Sequence, residues 1–232
     1  MFLTIKNGVK TYGKGEAIVH ALDGVNFSLV ESEVCVILGP SGSGKSTLMN
    51  MIGGVDTLDS GSLIVDNKVI SKMNKKELTR YRKEDVGFVF QFYNLIDDLS
   101  AKENIQVVAD ICDKPLDIDE LMASLGIAEL KHRFPKELSG GQQQRIAIAR
   151  AMVKNPKILL CDELTGALDS HSSRTVLEAI ENLNKLYGTT IIIITHNATI
   201  ADMADQVIYI KDGKISDSKI NPHKLAVRDL EL

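Results

Sequence analysis

The chain of 232 residues is 44% hydrophobic and 25% charged, a composition typical of one folded globular domain and not of a disordered polypeptide. Its formal net charge is −4 at pH 7, so the surface offers no cationic field to a phosphodiester backbone, and a nucleic-acid partner is disfavoured. The three cysteines form no CxxC pair, which argues against a disulfide framework and a structural zinc site.

The unbroken apolar runs are short. Residues 158–161 and 191–194 are typical of them, whereas a helix that spans a bilayer needs about 20 apolar residues. The apolar N-terminal stretch is interrupted at Lys6 and Asn7, too early for a signal peptide. The sequence therefore predicts a chain that itself crosses no membrane.

The first third of the chain predicts an antiparallel sheet followed by the beginning of a second sheet. Residues 3–30 alternate apolar and polar side chains in short stretches broken by glycines, a pattern typical of antiparallel strands with tight turns. Residues 34–38 predict a buried strand that leads through a glycine-rich loop into a helix over residues 45–52. Residues 60–70 predict a hairpin, and residues 86–90 predict another short strand.

The middle of the chain predicts an inserted helical subdomain. The strand pattern disappears over residues 92–136, and helices with acidic first turns are predicted over residues 100–109 and 117–125.

The last part of the chain predicts a parallel sheet covered by helices, because helices and strands alternate. The predicted elements are a helix over 139–153, a strand over 158–161, a helix over 172–187, a strand over 190–194 and a helix over 198–204. A hairpin over 206–210 and 214–215 follows, and residues 217–232 form a polar tail without an assigned structure.

A phosphate-binding motif lies between the predicted strand and helix of the first third. This phosphate loop consists of Gly39, Pro40, Ser41, Gly42, Ser43, Gly44, Lys45, Ser46 and Thr47. Glycines let successive backbone N–H groups point at phosphates, and the following helix N-terminus adds its partial positive charge. Lys45 is expected to neutralise the terminal phosphates, and Ser46 to place its hydroxyl on Mg²⁺. The alternative, a plain Gly/Ser-rich turn, is disfavoured by the flanking strand and helix.

A second glycine-rich motif precedes the helix predicted at residue 139. Leu138 is followed by Ser139, Gly140, Gly141 and Gln142, and Ser139 with Gln142 alone would make an ordinary capping box. The functional interpretation is that the two glycines leave the helix N-terminus open to an anion.

These two motifs, together with ILLCDE at residues 158–163 and ITH at residues 194–196, resemble the ATP-binding subunits of ABC transporters. The resemblance covers about residues 3–215. It implies ATP and Mg²⁺ as cofactors, and a head-to-tail pair of identical copies. In that pair, residues 139–142 of one copy close over the ATP held by Lys45 of the other.

The resemblance implies an α/β fold. We expect a P-loop NTPase core with a parallel sheet, an N-terminal antiparallel β subdomain and an inserted α-helical subdomain. In a single domain of residues 1–232, the core and the β subdomain would occupy residues 1–91 and 137–216. The helical subdomain would occupy residues 92–136 and the tail residues 217–232.

Two carboxylates follow the apolar strand at residues 158–161, at the sheet edge where open α/β sheets bind ligands. By resemblance, Asp162 is the magnesium-organising aspartate and Glu163 is the general base that orients the attacking water. The alternative is an acid pair that only complements a helix dipole. Cys161 is expected to be a core residue and not a reactive thiol.

Four further residues take roles by resemblance. Gln91 matches the glutamine that reaches the Mg²⁺ and water site, and His196 matches the histidine that contacts the γ-phosphate. Tyr12 matches the aromatic residue that stacks on adenine, and Asp169 matches the carboxylate of the D-loop. Taken alone, Gln91 is a polar strand end, His196 a structural histidine and Tyr12 a packed hairpin residue.

Two positions depart from the family pattern. Leu164 stands where proline is common, which loosens the entry to the D-loop, and Asn197 stands where an acid often follows the histidine.

Three stretches point to a branch of the family. VHALDGVNFSL, VFQFYNLIDDLSAKENI and ELTGALDS are most similar to the ATPases of the macrolide-exporter, lipoprotein-releasing and antimicrobial-peptide-resistance branch. This implies a separate membrane permease, contacted through the Gln91 loop and the helical subdomain, and a peripheral position on the cytoplasmic face of the membrane.

The alternatives are an importer or cell-division ATPase, which would share every residue named, and a soluble ABC protein that acts on ribosomes or DNA. A GTPase is disfavoured because no Asn-Lys-x-Asp tetrad occurs. The cargo, the direction of transport and the permease stay open.

Overall fold

The computed structural model describes residues 1–232, apart from the side chain of Glu16. The strands are β1 (Leu3–Tyr12), β2 (Val19–Leu29), β3 (Val34–Leu38), β4 (Ser60–Val65), β5 (Lys68–Val69), β6 (Val86–Val89), β7 (Ile158–Asp162), β8 (Thr190–Ile194), β9 (Gln206–Lys211) and β10 (Lys214–Ile220). The α-helices are α1 (Lys45–Ile52), α2 (Lys75–Glu84), α3 (Ala101–Ala109), α4 (Ile118–Ser124), α5 (Gly140–Met152) and α6 (Ser170–Tyr187).

The predicted parallel sheet is present, with six strands in the order β10-β9-β3-β8-β7-β6. All neighbours from β9 to β6 pair in parallel, and only β10 runs antiparallel to β9. Every residue of β3 and β8 is buried, as expected for strands covered on both faces. Along β3, Val36 packs into one hydrophobic cluster and Ile37 into the other.

The two clusters define the layers of the molecule. One contains residues of α3 to α6 together with one face of the parallel sheet. The other contains the opposite face together with α1 and the first strands. The parallel sheet is therefore the middle layer of the molecule.

The N-terminal antiparallel sheet is also confirmed, in the order β2-β1-β4-β5. Residues 3–29 form two long strands with bulges, β1 and β2, instead of several short strands, and β4 and β5 complete the sheet. Its apolar side chains, including Leu3, Ile5 and Leu29, lie in the same cluster as α1, so it shares a core with the parallel sheet.

The helical segment between β6 and α5 contains α3 and α4. Ser100 and Glu103 form a capping box at α3. Asn104 is buried, and its amide donates to the carbonyls of Ile96, Leu99 and Ser100. The loop before α3 is therefore tied to its first turn.

The structure differs from the sequence prediction in three elements. Helix α2 was not predicted, the segment Ala198–Met203 is a 3₁₀-helix and not an α-helix, and β10 continues to Ile220. Within the described residues, no helix is both long and apolar enough to cross a bilayer.

The C-terminal residues are docked on the domain. Arg174 of α6 donates to the carbonyls of Val227, Arg228 and Leu230, and the side chains of Val227 and Leu230 are buried in the core. This segment therefore has a packed structure that its polar composition did not predict.

Candidate active site

A cleft of about 760 Å³ opens at the carboxyl edge of the parallel sheet. It brings together residues from the phosphate loop, from the ends of β6 and β7 and from the loop after β8. The predicted site residues that line it are Ser41, Gly42, Gly44, Lys45, Ser46, Thr47, Gln91, Asp162, Glu163 and His196.

The phosphate loop needs its glycines for backbone conformation and close approach. Gly42 and Gly44 have positive φ angles of 75° and 106°, which favour glycine. A Cβ at Gly44 would lie 2.3 Å from the Ala21 carbonyl oxygen, and a Cβ at Gly39 would lie 2.2 Å from the Ile210 carbonyl oxygen. The phosphate loop therefore packs tightly against β2 and β9, and contacts with these distant parts of the chain fix its curvature.

Lys45 is the first residue of α1 and is 9% exposed. Its Nζ donates to the Gly39 and Pro40 carbonyls, both at 2.8 Å. An ammonium group has three donors, so one remains for an anion in the cleft. No side chain caps the N-terminus of α1, which leaves the first backbone N–H groups of the helix for the same anion.

Asp162, the last residue of β7, lies beside the first turn of α1. Ser46 Oγ donates to Asp162 Oδ2 over 3.4 Å. Burial and the neighbouring charge of Glu163 raise the pKa of Asp162, while Ser46 and Lys45 offset part of this rise. A cation would relieve that destabilised charge. The hydroxyl and carboxylate oxygens fit Mg²⁺, which prefers oxygen ligands.

A cation in this cleft would have few protein ligands. Among the described residues, no group of three or more His, Cys, Asp and Glu side chains could hold a metal. Mg²⁺ in phosphoryl-transfer sites is often held by one or two protein groups plus substrate phosphates, and the donor set here matches that arrangement.

Glu163 lies directly after β7 with a positive φ angle of 50°. This left-handed conformation is unfavourable for a residue with a side chain, and such outliers cluster at functional sites. The buried Oε2 atom of Glu163 has no hydrogen-bond partner. His196 Nδ1 lies 2.9 Å from it without hydrogen-bond geometry. Glu163 and His196 are therefore held side by side, and the histidine ring covers this carboxylate oxygen.

Gln91 is half-buried and faces the same region. Its Nε2 atom would lie 3.1 Å from a Cβ at Gly166. Gly166 therefore leaves room for the amide beside Glu163.

Four predicted site residues do not line this cleft: three residues of the phosphate loop and Tyr12. Gly39, Pro40 and Ser43 belong to the phosphate loop but do not line the cleft, and Ser43 is buried. Tyr12 is 42% exposed at the end of β1, where its hydroxyl donates to Asp56 Oδ2 at 3.0 Å. Lys10 Nζ lies 5.2 Å from the centre of its ring.

The second glycine-rich motif also lies outside the cleft. Ser139, Gly140, Gly141 and Gln142, here called the SGGQ tip, form the N-terminus of α5, and Ser139 is exposed. The predicted capping box is present: Gln142 N donates to Ser139 Oγ at 3.3 Å, and Ser139 N donates to Gln142 Oε1 at 2.9 Å. None of the four residues lines the cleft of its own chain.

Asp169 likewise lies outside the cleft. It caps α6 by accepting hydrogen bonds from Ser172 N at 2.9 Å and Ser172 Oγ at 2.7 Å. These two bonds hold the pKa of Asp169 below its usual value.

The structure gives both departures from the family pattern a local role. Leu164 is buried in the core, so the residue after Glu163 anchors the loop by packing. Asn197 Oδ1 accepts from the backbone N–H and the hydroxyl of Thr199 at 3.0 and 2.7 Å, and therefore caps the 3₁₀-helix that begins at Ala198.

Sequence reasoning missed the cleft residues that come from outside the motifs. Val19, His20 and Ala21 reach it from the start of β2, and Asp212 and Gly213 reach it from the β9–β10 turn. The only sequence signal was the Asp-Gly pair, which predicts a hairpin turn and not a site.

Comparison with known proteins agrees with this geometry. The family model described as ABC transporter matches residues 22–166. A putative ABC transporter ATP-binding protein of Mycoplasma pneumoniae is 43% identical over 231 residues, covering 98% of this chain and 50% of its own length. A macrolide export ATP-binding/permease protein, MacB, of Neisseria meningitidis is 43% identical and covers 94% of this chain and 34% of its own. The chain thus spans about half or less of the length of these two curated relatives.

A relative of similar length has been solved. The ATP-binding cassette MJ0796 of Methanocaldococcus jannaschii is 41% identical over 222 residues and covers 92% of this chain and 94% of its own. Its dimeric structure in a post-hydrolysis state, bound to ADP and Pi, superposes with a TM-score of 0.84 at 37% identity, covering 94% of this chain and 98% of the other.

The fold and the cleft define the class of a P-loop domain that binds a nucleoside triphosphate at the carboxyl edge of a parallel sheet. Within that class, the chain belongs to the ABC transporter family and contains its ATP-binding domain.

Proposed function

We propose that the chain hydrolyses ATP as a pair of identical copies arranged head to tail around two ATP molecules, and that this cycle drives a separate membrane permease. The observation that carries the proposal is that the two glycine-rich motifs lie apart in one chain. The cleft around Lys45 is assembled, while the SGGQ tip of the same chain lies outside it. The dimeric form of the MJ0796 cassette supports the pairing.

The cleft of one copy would hold the triphosphate. The phosphate loop, from Gly39 to Thr47, would wrap the phosphates with its N–H groups, and Lys45 would neutralise their charge. Ser46, Asp162 and Gln91 would hold Mg²⁺, which supplies charge neutralisation at the phosphate oxygens. Tyr12 would stack against the adenine from the edge of the β subdomain.

Hydrolysis would depend on positioning and electrostatics, since phosphoryl transfer to water requires little covalent chemistry from the protein. Glu163 would act as general base, with its carboxylate orienting the attacking water. His196, beside that carboxylate, would contact the γ-phosphate.

The other copy would complete the site. Its Ser139, Gly140, Gly141 and Gln142 would close over the γ-phosphate, and its Asp169 would lie at the shared interface. This arrangement requires both copies, so a lone chain is expected to bind ATP but to hydrolyse it very slowly.

The permease would dock on the helical subdomain and the Gln91 loop. Phe92, Ile96, Val107 and Ile111 are exposed apolar side chains in this region, available for contact with a partner surface. The similarity to MacB favours export of a drug, peptide or lipoprotein-like cargo. The chain would then lie on the cytoplasmic face of the membrane, held there by its permease.

Size-exclusion chromatography of a Glu163→Gln variant with and without ATP tests the proposal. Because the variant binds ATP without cleaving it, we expect a shift from monomer to dimer on addition of ATP. Glu129→Gln, a matched change at an exposed glutamate of the helical subdomain, should stay catalytically active and accumulate no dimer. A Glu163→Gln variant that binds ATP and remains monomeric would contradict the proposal.

A further inference from the structure

Tyr12 lies beside the cleft, although it does not line it. In the pairing of β1 with β2, Tyr12 is opposite Val19, and directly opposite residues of antiparallel strands share one face of the sheet. Val19 is exposed and lines the cleft, and Tyr12 itself is also exposed. The tyrosine ring is therefore within reach of a ligand that extends out of the cleft past Val19.

The hydroxyl of Tyr12 is held by a carboxylate from a distant loop. Tyr12 Oη donates to Asp56 Oδ2 at 3.0 Å, across 44 positions of the chain, and Asp56 lies in the loop between α1 and β4. Although burial acts against it, hydrogen bonds from its neighbours, above all from Lys10, hold the pKa of Asp56 below its ordinary value. The acceptor is therefore a carboxylate ion, and a hydrogen bond to an ionised acceptor is stronger than one between neutral groups.

Lys10 holds that carboxylate and lies over the tyrosine ring. Its Nζ donates to Asp56 Oδ1 at 3.0 Å and to the Thr57 carbonyl at 2.9 Å, and Asp59 Oδ1 lies 3.5 Å away. These three oxygens surround an ammonium group that has three donors. The same nitrogen lies 5.2 Å from the centre of the Tyr12 ring, within the range of a cation–π interaction. Because Lys10 is buried, its charge serves these neighbours and not a ligand in the cleft.

We propose that Lys10 and Asp56 are positioning residues for the nucleotide base, because they fix the Tyr12 ring in place before ATP binds. The inference rests on the proposed function, in which Tyr12 stacks against adenine. A flexible side chain that a ligand must immobilise lowers the affinity, whereas a side chain already held in its bound position avoids that cost. The hydrogen bond at the end of the ring and the cation over its face restrain the ring in two independent ways.

The affinities of the chain for ADP and for tripolyphosphate test this role, because tripolyphosphate has phosphates and no base. Titration calorimetry with Mg²⁺ measures both affinities for Asp56→Ala, Lys10→Met, Tyr12→Phe and the double variant Asp56→Ala/Tyr12→Phe. Each single change should weaken ADP binding about fivefold, the scale for ordering one side chain, and leave tripolyphosphate binding unchanged. The double variant should bind ADP about as tightly as Asp56→Ala alone, because both changes remove the same hydrogen bond.

Two further variants calibrate the measurement. Asp119→Ala breaks another lysine–aspartate pair, in the helical subdomain, where Lys102 Nζ donates to the two Asp119 oxygens at 2.9 and 2.7 Å. It should leave the affinity for both ligands unchanged. Tyr12→Ala removes the ring and should weaken ADP binding by about tenfold or more, the scale of stacking between a base and an aromatic side chain. It should also leave tripolyphosphate binding unchanged.

The possible failures have different meanings. If Tyr12→Ala binds ADP as tightly as the native chain, Tyr12 does not contact the base, and that part of the proposed function fails together with this inference. If Tyr12→Ala weakens ADP binding while Asp56→Ala and Tyr12→Phe do not, the ring needs no support and this inference alone is overturned. An equal loss of ADP and tripolyphosphate binding in Asp56→Ala would also overturn it, because Asp56 would then support the cleft as a whole and not the ring.

Discussion

The two glycine-rich helix N-termini of this chain use glycine for different reasons. In the phosphate loop, Gly42 and Gly44 adopt left-handed backbone angles, and no side chain caps the helix that follows. In the SGGQ tip, Gly140 and Gly141 are in the first turn of α5, and a capping box occupies its end. A Cβ at Gly140 would lie 2.6 Å from Tyr93 Oη and one at Gly141 would lie 3.0 Å from Ser172 Cβ, so a side chain at either position would press on a neighbouring side chain.

The two regions also differ in exposure. The phosphate loop belongs to a cleft that one chain assembles, whereas the SGGQ tip begins at the surface. Lys45 is almost buried and held by two carbonyls, whereas Ser139 is exposed at the surface. In the proposed function, the phosphate loop binds the triphosphate within one chain, and the tip acts only where a second copy brings an anion to it. Changes in the two regions should therefore have separable effects.

The largest effect is expected from Lys45→Ala, which removes the cation of the cleft. ATP turnover should fall by about 10²–10³-fold or more, the scale for losing one group that stabilises transition-state charge. Phosphate release under saturating ATP measures this. Lys114→Ala, at an exposed lysine of the helical subdomain, should leave turnover unchanged. Undiminished turnover in Lys45→Ala would show that the cleft is not the site of hydrolysis.

A smaller and more selective effect is expected from Ser139→Ala. Loss of the cap should lower the free energy of unfolding by about 1 kcal/mol, and ATP-driven dimerisation should weaken while ATP binding by the monomer is retained. Chemical denaturation, chromatography and nucleotide titration measure the three quantities.

Asn74→Ala provides the matched control for Ser139→Ala. Asn74 forms a capping box with Glu77 at α2, so the loss of stability should be similar while dimerisation is unaffected. If both variants dimerise equally well, the SGGQ tip is only a helix cap.

The smallest effect is expected from Asp162→Asn in the absence of nucleotide, where it should raise thermal stability. Burial and the charge of Glu163 raise the pKa of Asp162 above its ordinary value of 3.8, so the folded state binds this proton more tightly than the unfolded state. Stability is then lost as pH rises from about 4 through the raised pKa, and the full penalty is present at neutral pH. The asparagine variant should melt a few degrees higher at pH 7 and equally at pH 3.

Thermal unfolding across this pH range checks the sign of the effect. Asp97→Asn, at an exposed aspartate, should show no such pH-dependent difference. An Asp162→Asn variant that is less stable than the native chain at pH 7 would mean that Asp162 is stabilised by its neighbours and not held in place for a cation.

Strong local patterns predicted several elements to the residue. Strands β3 and β8 and helix α1 begin and end where the sequence indicated, because continuous apolar runs and a glycine-rich loop mark their boundaries. Helix α2 was missed because only Leu78 and Tyr81 of its ten residues are buried, so its periodicity is weak. The Asn74–Glu77 pair was the available signal.

The extension of β10 and the docked C-terminal segment were missed for another reason. Residues 216–220 are mostly exposed and lack alternation, and they are a strand because β9 offers a free edge to pair with. The C-terminal residues are ordered by Arg174 of α6, a contact across more than 50 positions in the chain that no local pattern reveals.

By itself, the sequence determined the fold class, the phosphate loop and the pair of carboxylates at the end of β7, because each depends on residues that are neighbours in the chain. Only the tertiary structure decided that Val19 to Ala21 and the Asp212–Gly213 turn line the same cleft, and that the SGGQ tip lies outside it against Tyr93. Backbone conformation is set largely by nearby residues, whereas the walls of a cleft and the contacts of a helix tip depend on how distant layers pack.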